Sequence, residues 1–301
     1  MEAWIPITIA AAFLQNLRSA LQRHLKGRLG TTGATYVRFA FGVPFAILYV
    51  VGLERLAGLP WPEPNPTFVL YIALGGLAQI LGTAALIAAF SYRNFAVGTA
   101  YSKTETVQTA IFAIIILGEP IGIAATLAIL VALGGVIVLS VARSHLGPAQ
   151  LVRDLTSPAA LLGIGSGAGF GIAAVSYRGA ALSLGGEGFV MQAAFTLVCV
   201  IVFQTVVMTV WIAWREPGQL AAVWEARRVA VWVGLCGMAA SAGWFTAMTI
   251  QNAALVRALG QIELVFTFAA AHLVFGERSN RREVAGVLLV VAGILILLLG
   301  R

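Results

Sequence analysis

Two acidic side chains, Glu105 and Glu263, lie inside long apolar segments, 158 residues apart (263 − 105). A carboxylate in such a setting can pair with a cation, hold an ammonium group, exchange a proton, or cap the backbone of a neighbouring helix. Their surroundings repeat at the same offset. Gly76 matches Gly234, Asn94 matches Asn252, Ala100 matches Ala258 and Thr109 matches Thr267. Gly118-Glu119 matches Gly276-Glu277, and Gly135 matches Gly293. An ungapped match of this length makes the second half of the chain a copy of the first. Duplicated, strongly apolar chains are a known way of building membrane transporters.

Other polar groups join these carboxylates. Gln15, Arg18, Ser19 and Gln22 recur at i, i+3, i+4 and i+7, one stripe along a helix. An arginine that merely snorkels to the membrane surface needs no polar neighbours on its own face, so the stripe reads as cavity lining. Arg38 stands early in the second apolar segment. Tyr101, Glu105, Gln108 and Thr109 share a face, whereas Lys103 points roughly 200° away from Glu105. Glu263 and Thr267 repeat that arrangement, with Arg257 and Gln261 on another face. Gln79, Thr83, Tyr177 and Trp244 complete the candidate lining, with Gln192, Gln204 and Ser241 as further polar positions. Charges of both signs within spans predict a small zwitterionic solute. Arg18 or Arg38 would hold its carboxylate, and Glu105 or Glu263 its ammonium. The two glutamates should lie near a pseudo-two-fold axis, where Arg18 or Arg38 could also pair with them. Glu119 and Glu277 read as caps, and His272 as a satisfied interior residue.

The elements that must position these groups are helices. A bilayer-crossing helix needs roughly 20 mostly apolar residues, and ten such segments are predicted: 3–22, 32–53, 67–90, 97–117, 121–142, 158–181, 188–213, 229–251, 255–275 and 283–300. Prolines at 60, 62, 64, 66, 120, 148, 158 and 217 fall between or at the edges of segments. The expected fold is therefore an all-α integral membrane protein, with repeats at 1–147 and 158–301 and a linker at 148–157. Five helices per repeat forces opposite insertion of the two copies, an inverted repeat. Arginines and lysines gather in the odd-numbered loops, which predicts those loops to be cytoplasmic and both termini outside. Gly163, Gly167 and Gly171 lie four apart in the sixth segment and predict a close helix crossing. The Gly-x-Gly spacing there lacks the strand that a dinucleotide site requires.

Composition excludes several classes. With 60% hydrophobic and 10% charged residues, the chain could not cover a soluble fold with polar groups. The net charge of +7 comes from basic residues at segment ends, which is a topology signal and argues against nucleic-acid binding. Cys199 and Cys236 are the two cysteines, too few for a disulfide framework or a zinc site. One aspartate, Asp154, and three scattered histidines provide no nucleophile–base or metal-ligand spacing. No cofactor, metal or enzymatic activity is expected. The N-terminus lacks a basic region before its first apolar run, so no cleavable signal is predicted.

Three motifs make the chain similar to the drug/metabolite transporter superfamily in its ten-helix form with two EamA-type repeats. They are Tyr36-Val37-Arg38-Phe39-Ala40-Phe41, with Gln192-Ala193-Ala194-Phe195 in the second half; a glutamate followed 14 residues later by Gly-Glu in each repeat; and the closing Gly134-Gly135-Val136 and Ala292-Gly293-Ile294 runs. Family members usually have proline directly after that glutamate, where Thr106 and Leu264 stand here. They also commonly keep both termini in the cytoplasm, against the charge distribution. The resemblance implies secondary transport of small metabolites by alternating access, often amino-acid export, from a bacterial inner membrane. Anionic or phosphate-bearing metabolites and drugs are the alternatives. Expected partners are the solute, the lipid bilayer and candidate coupling protons, for a monomer or homodimer.

Overall fold

The computed structural model describes residues 2–23, 25, 29–89, 92, 95–144, 153–186, 188–273 and 280–300. Its helices are α1 (Trp4–Arg23), α2 (Thr31–Ala40), α3 (Val43–Ala57), α4 (Pro66–Ala89), α5 (Phe95–Ser102), α6 (Glu105–Leu117) and α7 (Ile123–Ser144), then α8 (Pro158–Ser183), α9 (Val190–Arg215), α10 (Gln219–Glu225), α11 (Arg227–Ile250), α12 (Ala253–Gly260), α13 (Ile262–Leu273) and α14 (Arg281–Leu299). No strand occurs among the described residues. Half of the linker (148–152), together with Asn94, Gly276 and Glu277, lies outside them.

Among the described residues, eight helical stretches are long and apolar enough to cross a membrane, two of them formed by α2–α3 and α12–α13 together. The other two predicted segments are helical but fall outside that set. In α1 the polar stripe and its arginines dilute the hydrophobicity. The 97–117 segment is interrupted at Lys103-Thr104, leaving helices of 8 and 13 residues. The chain is thus an all-helical, multi-pass membrane protein, with eight spans by length and hydropathy against the ten predicted.

Three predicted segments are broken. Between α2 and α3, Pro44 sits in the first turn of α3, where it lacks a donor to continue the α2 ladder. The other two breaks fall at matching positions, Lys103-Thr104 and Gln261, without proline at either. Both use backbone bonds that span three residues instead of four: Lys103 N–H to Ala100 O, Thr104 N–H to Tyr101 O, and Gln261 N–H to Ala258 O. In the first, Ser102 and Thr104 hydroxyls also donate to the carbonyls of Thr99 and Tyr101, a local competition that favours a turn over helix.

By packing, the chain forms two compact units. Unit 1 is Met1–Leu77 with Ser176–Gln251; unit 2 is Ala78–Val175 with Asn252–Arg301. Each draws on both sequence repeats. In unit 1, α1 packs along α11, and Arg178 donates from Nη1 to the carbonyls of Met248 (2.6 Å), Thr249 (3.2 Å) and Gln251 (2.9 Å). That cation answers the negative, unsatisfied end of α11. In unit 2 the repeat-equivalent helices α7 and α14 lie against each other, with Gly135 facing Gly286 and Gly293 facing Ala132.

The sixth-segment glycines also do what their spacing predicts. Within unit 2, Gly163 meets the Gly98 backbone, Gly167 meets Ser102 and Gln108, and Gly171 meets Thr109. A Cβ added at Gly163 would run into the Gly98 carbonyl oxygen, whereas at Gly165 it would meet nothing within 4 Å. Gly163→Ala should therefore lower thermal stability in detergent, by about 1–3 kcal/mol or more. Gly165→Ala should be neutral or stabilising by up to about 1 kcal/mol. Equal melting of the two variants would contradict this packing.

Candidate functional site

In unit 1 the site is built on one face of α1 and one of α11. Gly243 lies against Ala11, Trp244 Nε1 donates to Gln15 Oε1 at 3.1 Å, and Gly237 lies against Arg18. The stripe of α1 thus runs along α11 at the spacing of two helical turns. Arg38, in the last turn of α2, meets the same glycine: a Cβ at Gly237 would be 3.2 Å from Arg18 Cδ and 3.7 Å from Arg38 Cβ. Two arginine side chains therefore converge where α11 has no side chain of its own. The Arg38 guanidinium also lies 4.3 Å from the centre of the Phe39 ring, a cation–π neighbour.

Tyr177 lies within electrostatic reach of Arg38. It is held there by its surroundings. Its ring stacks on Phe245 with centroids 4.6 Å apart, its hydroxyl donates to Gly75 O at 3.1 Å, and Gln204 Nε2 donates to that hydroxyl at 3.3 Å. Other members of the predicted stripe serve the backbone: Ser19 donates to Gln15 O and Gln22 to Ala34 O.

The carboxylates of unit 1 stand elsewhere. Among its described residues, Glu2 precedes α1, Glu54 closes α3 beside Arg55, Glu63 is in a loop, Glu216 follows α9 and Glu225 ends α10. Two like unit charges roughly 6 Å apart repel by about 3 kcal/mol at an effective dielectric of roughly 20. An anion placed between two guanidinium groups converts that repulsion into attraction and meets their planar, two-pronged donors.

Unit 2 holds the paired glutamates, and here the expected pairing is corrected. Glu105 bonds Arg257, and Glu263 takes Lys103 Nζ at 3.2 Å; neither partner is Arg18 or Arg38. Each carboxylate takes its cation from the other repeat. Thr106 accepts from Gln261 Nε2 at 3.1 Å across the same join. The reason is local. The breaks at 103–104 and 261 put Glu105 and Glu263 in the first turns of α6 and α13, where a helix favours negative charge, and Arg257 in the last turn of α12, where it favours positive.

The remaining candidates in unit 2 are spent on structure. Gln108 donates to Thr104 Oγ1 and to Ile164 O, and the Thr83 hydroxyl donates to Gln79 O. Tyr101 is half-buried in a small cluster around Val97 and Ala160. Glu119 accepts from Asn252, which itself caps α12 through Ala254 N–H; its partner Glu277 lies outside the described residues. His272, in the last turn of α13 as described, is exposed and not interior as its apolar neighbours suggested.

The twelve candidate residues thus divide between the units. Gln15, Arg18, Arg38, Tyr177 and Trp244 belong to unit 1; Gln79, Thr83, Tyr101, Lys103, Glu105, Gln108 and Glu263 belong to unit 2. Sequence reasoning left out Gly237 and gave Arg257 no partner. The signal for Arg257 was present: it stands near the break at 261, as Lys103 stands at the break in its own repeat. Among the described residues no three His, Cys, Asp or Glu side chains gather into a group that could hold a metal.

The known proteins that resemble the chain agree with this architecture. Residues 3–141 match the EamA-like transporter family, a stretch that falls within the first predicted repeat. No curated protein matches the sequence. One solved protein crystal structure superposes with a TM-score of 0.71 over 99% of this chain and 98% of its own, at 19% identity. At that identity the likeness is one of fold.

The cross-repeat pairs yield a thermodynamic test. Side chains of Arg257 and Glu105 are 22% and 12% exposed, buried enough that removing one partner strands a charge. Arg257→Met should destabilise the protein by about 3 kcal/mol or more, and adding Glu105→Gln should recover a large part of that loss. Strictly additive losses in chemical denaturation would contradict the pairing.

Proposed function

We propose that this chain, whose residues 3–141 match the EamA-like transporter family, is a secondary transporter that grips a small metabolite by its anionic group at Arg18 and Arg38. The observation that carries the reading is the convergence of both arginines on Gly237, with the carboxylates of unit 1 at helix ends and in loops. An arginine within a span costs about 2.5–3.5 kcal/mol on insertion scales. Meeting at Gly237, the two side chains would offer planar donors to one anionic group.

Amino acids are the substrate class we favour. Arg18 and Arg38 supply the carboxylate site, and Gln15 Oε1 with the Trp244 indole supplies a lining suited to an ammonium group. The ammonium role expected of Glu105 and Glu263 competes with their ion pairs to Arg257 and Lys103. Family resemblance supports export across a bacterial inner membrane, and the clustering of arginine in odd-numbered loops supports cytoplasmic placement of those loops. One observation favours a second substrate class. Two full positive charges at one point suit a dianion, such as a phosphate ester, better than a single carboxylate.

The test is counterflow in proteoliposomes preloaded with a mixture of amino acids, alongside a matched set loaded with phosphorylated metabolites. Arg18→Gln and Arg38→Gln should each cut uptake at least about 10-fold, the loss of one charged hydrogen bond or more, while the purified variants remain folded. Uptake confined to the phosphorylated set would select the second class. Undiminished uptake of both sets by both variants would overturn the arginine site.

A further inference from the structure

The chain has seven tryptophans, and four of them, Trp211, Trp214, Trp224 and Trp232, fall within one corner of unit 1 where α9, α10 and α11 meet. They are 47%, 73%, 64% and 59% exposed. Trp4 and Trp244, by contrast, are buried. Three exposed arginines share the corner: Arg215 at the end of α9, and Arg227 and Arg228 at the start of α11.

The two residue types are joined physically. The Arg215 guanidinium carbon lies 4.4 Å from the Trp214 ring centre, and that of Arg227 lies 5.5 Å from the Trp224 ring. Arg227 Nη1 also donates to Trp224 O at 3.2 Å. A guanidinium stacked on an indole face keeps its edge N–H donors directed outward, the geometry that receives a phosphate group. The corner is firmly attached to the fold: α10 packs on α2, with Gln219 seated against Gly30 and Gly33. Of the nearby carboxylates, Glu216 is engaged by the Thr32 hydroxyl at 2.9 Å, and Glu225 is exposed.

Exposed tryptophan at the ends of apolar helices belongs at the headgroup level of a bilayer, where its ring is apolar and its N–H is wet. The arginines add a preference for charge. We propose that this α9–α10–α11 corner is a binding site for the headgroup of an anionic phospholipid, with the indole rings seated among the glycerol and upper acyl groups. Phosphatidylcholine presents the same phosphate but covers it with a cation that the three arginines repel. An arginine near an anionic surface strengthens attachment by about fivefold at low salt, and screening removes most of that gain when the ionic strength is high. This site is independent of the transported solute.

Tryptophan quenching in vesicles tests the proposal on the full chain. The protein is reconstituted into phosphatidylcholine containing a fixed fraction of either brominated phosphatidylglycerol or brominated phosphatidylcholine. Brominated phosphatidylglycerol should quench several-fold more effectively at low salt, and the excess should fall in 1 M NaCl. The excess should also vanish in the Trp211→Phe/Trp214→Phe/Trp224→Phe/Trp232→Phe variant and in the Arg215→Gln/Arg227→Gln/Arg228→Gln variant. Equal quenching of the wild-type protein by the two brominated lipids would overturn the site, whatever the variants do. So would an excess that survives in the phenylalanine variant, since it would place the anionic lipid at another tryptophan.

Discussion

A charge inside an apolar span has to be answered by another charge, by oriented carbonyls, or by a ligand. This chain uses the first two answers openly. In unit 2, Glu105 and Glu263 are matched by Arg257 and Lys103, so two negative groups meet two positive ones. In unit 1, Arg178 is matched by the carbonyl end of α11. Arg18 and Arg38 meet each other at Gly237, the place proposed for the anionic group of a solute.

The matched pairs depend on the interruptions in the helices. A continuous helix through 97–117 would leave Glu105 in mid-helix, away from the favourable first-turn position. The three-residue backbone bonds at Lys103-Thr104 and Gln261 shorten each helix at the same repeat position, so both carboxylates sit in first turns. Here hydroxyl groups at 102 and 104 and the ion pairs across the repeats accompany the same geometry. Polar groups that cannot reach water within a membrane are satisfied by neighbouring helices, and the Gln261–Thr106 bond is one instance.

Much of the fold was legible because periodicity and repetition are properties of the chain itself. Helices stand on the ten apolar segments, the sixth-segment glycines meet other backbones, and Glu105 and Glu263 share one environment. Partner choice was less legible. The glutamates were expected to meet Arg18 or Arg38 because those arginines were the conspicuous cations, yet sequence distance carries no information about which helices are neighbours. Lys103 was read on one continuous helix with Glu105, whereas the helix is interrupted between them, and its bond to Glu263 needed the tertiary structure. Gly237 was invisible for a plainer reason: its contribution is the absence of a side chain, which gains meaning only once two arginines are seen to fill the space. His272 was read as interior because its neighbours are apolar, although it is exposed.

The central claim is that the arginine pair recognises an anionic group. Equilibrium binding of a labelled amino acid to the purified protein, compared with binding of the same compound as its uncharged carboxamide, tests it most directly. Loss of the carboxylate charge removes charge-assisted bonds to both guanidinium groups, so the account predicts about 100-fold weaker binding of the amide. Equal affinity for acid and amide would contradict it, and would mean that Arg18 and Arg38 serve the protein's own structure.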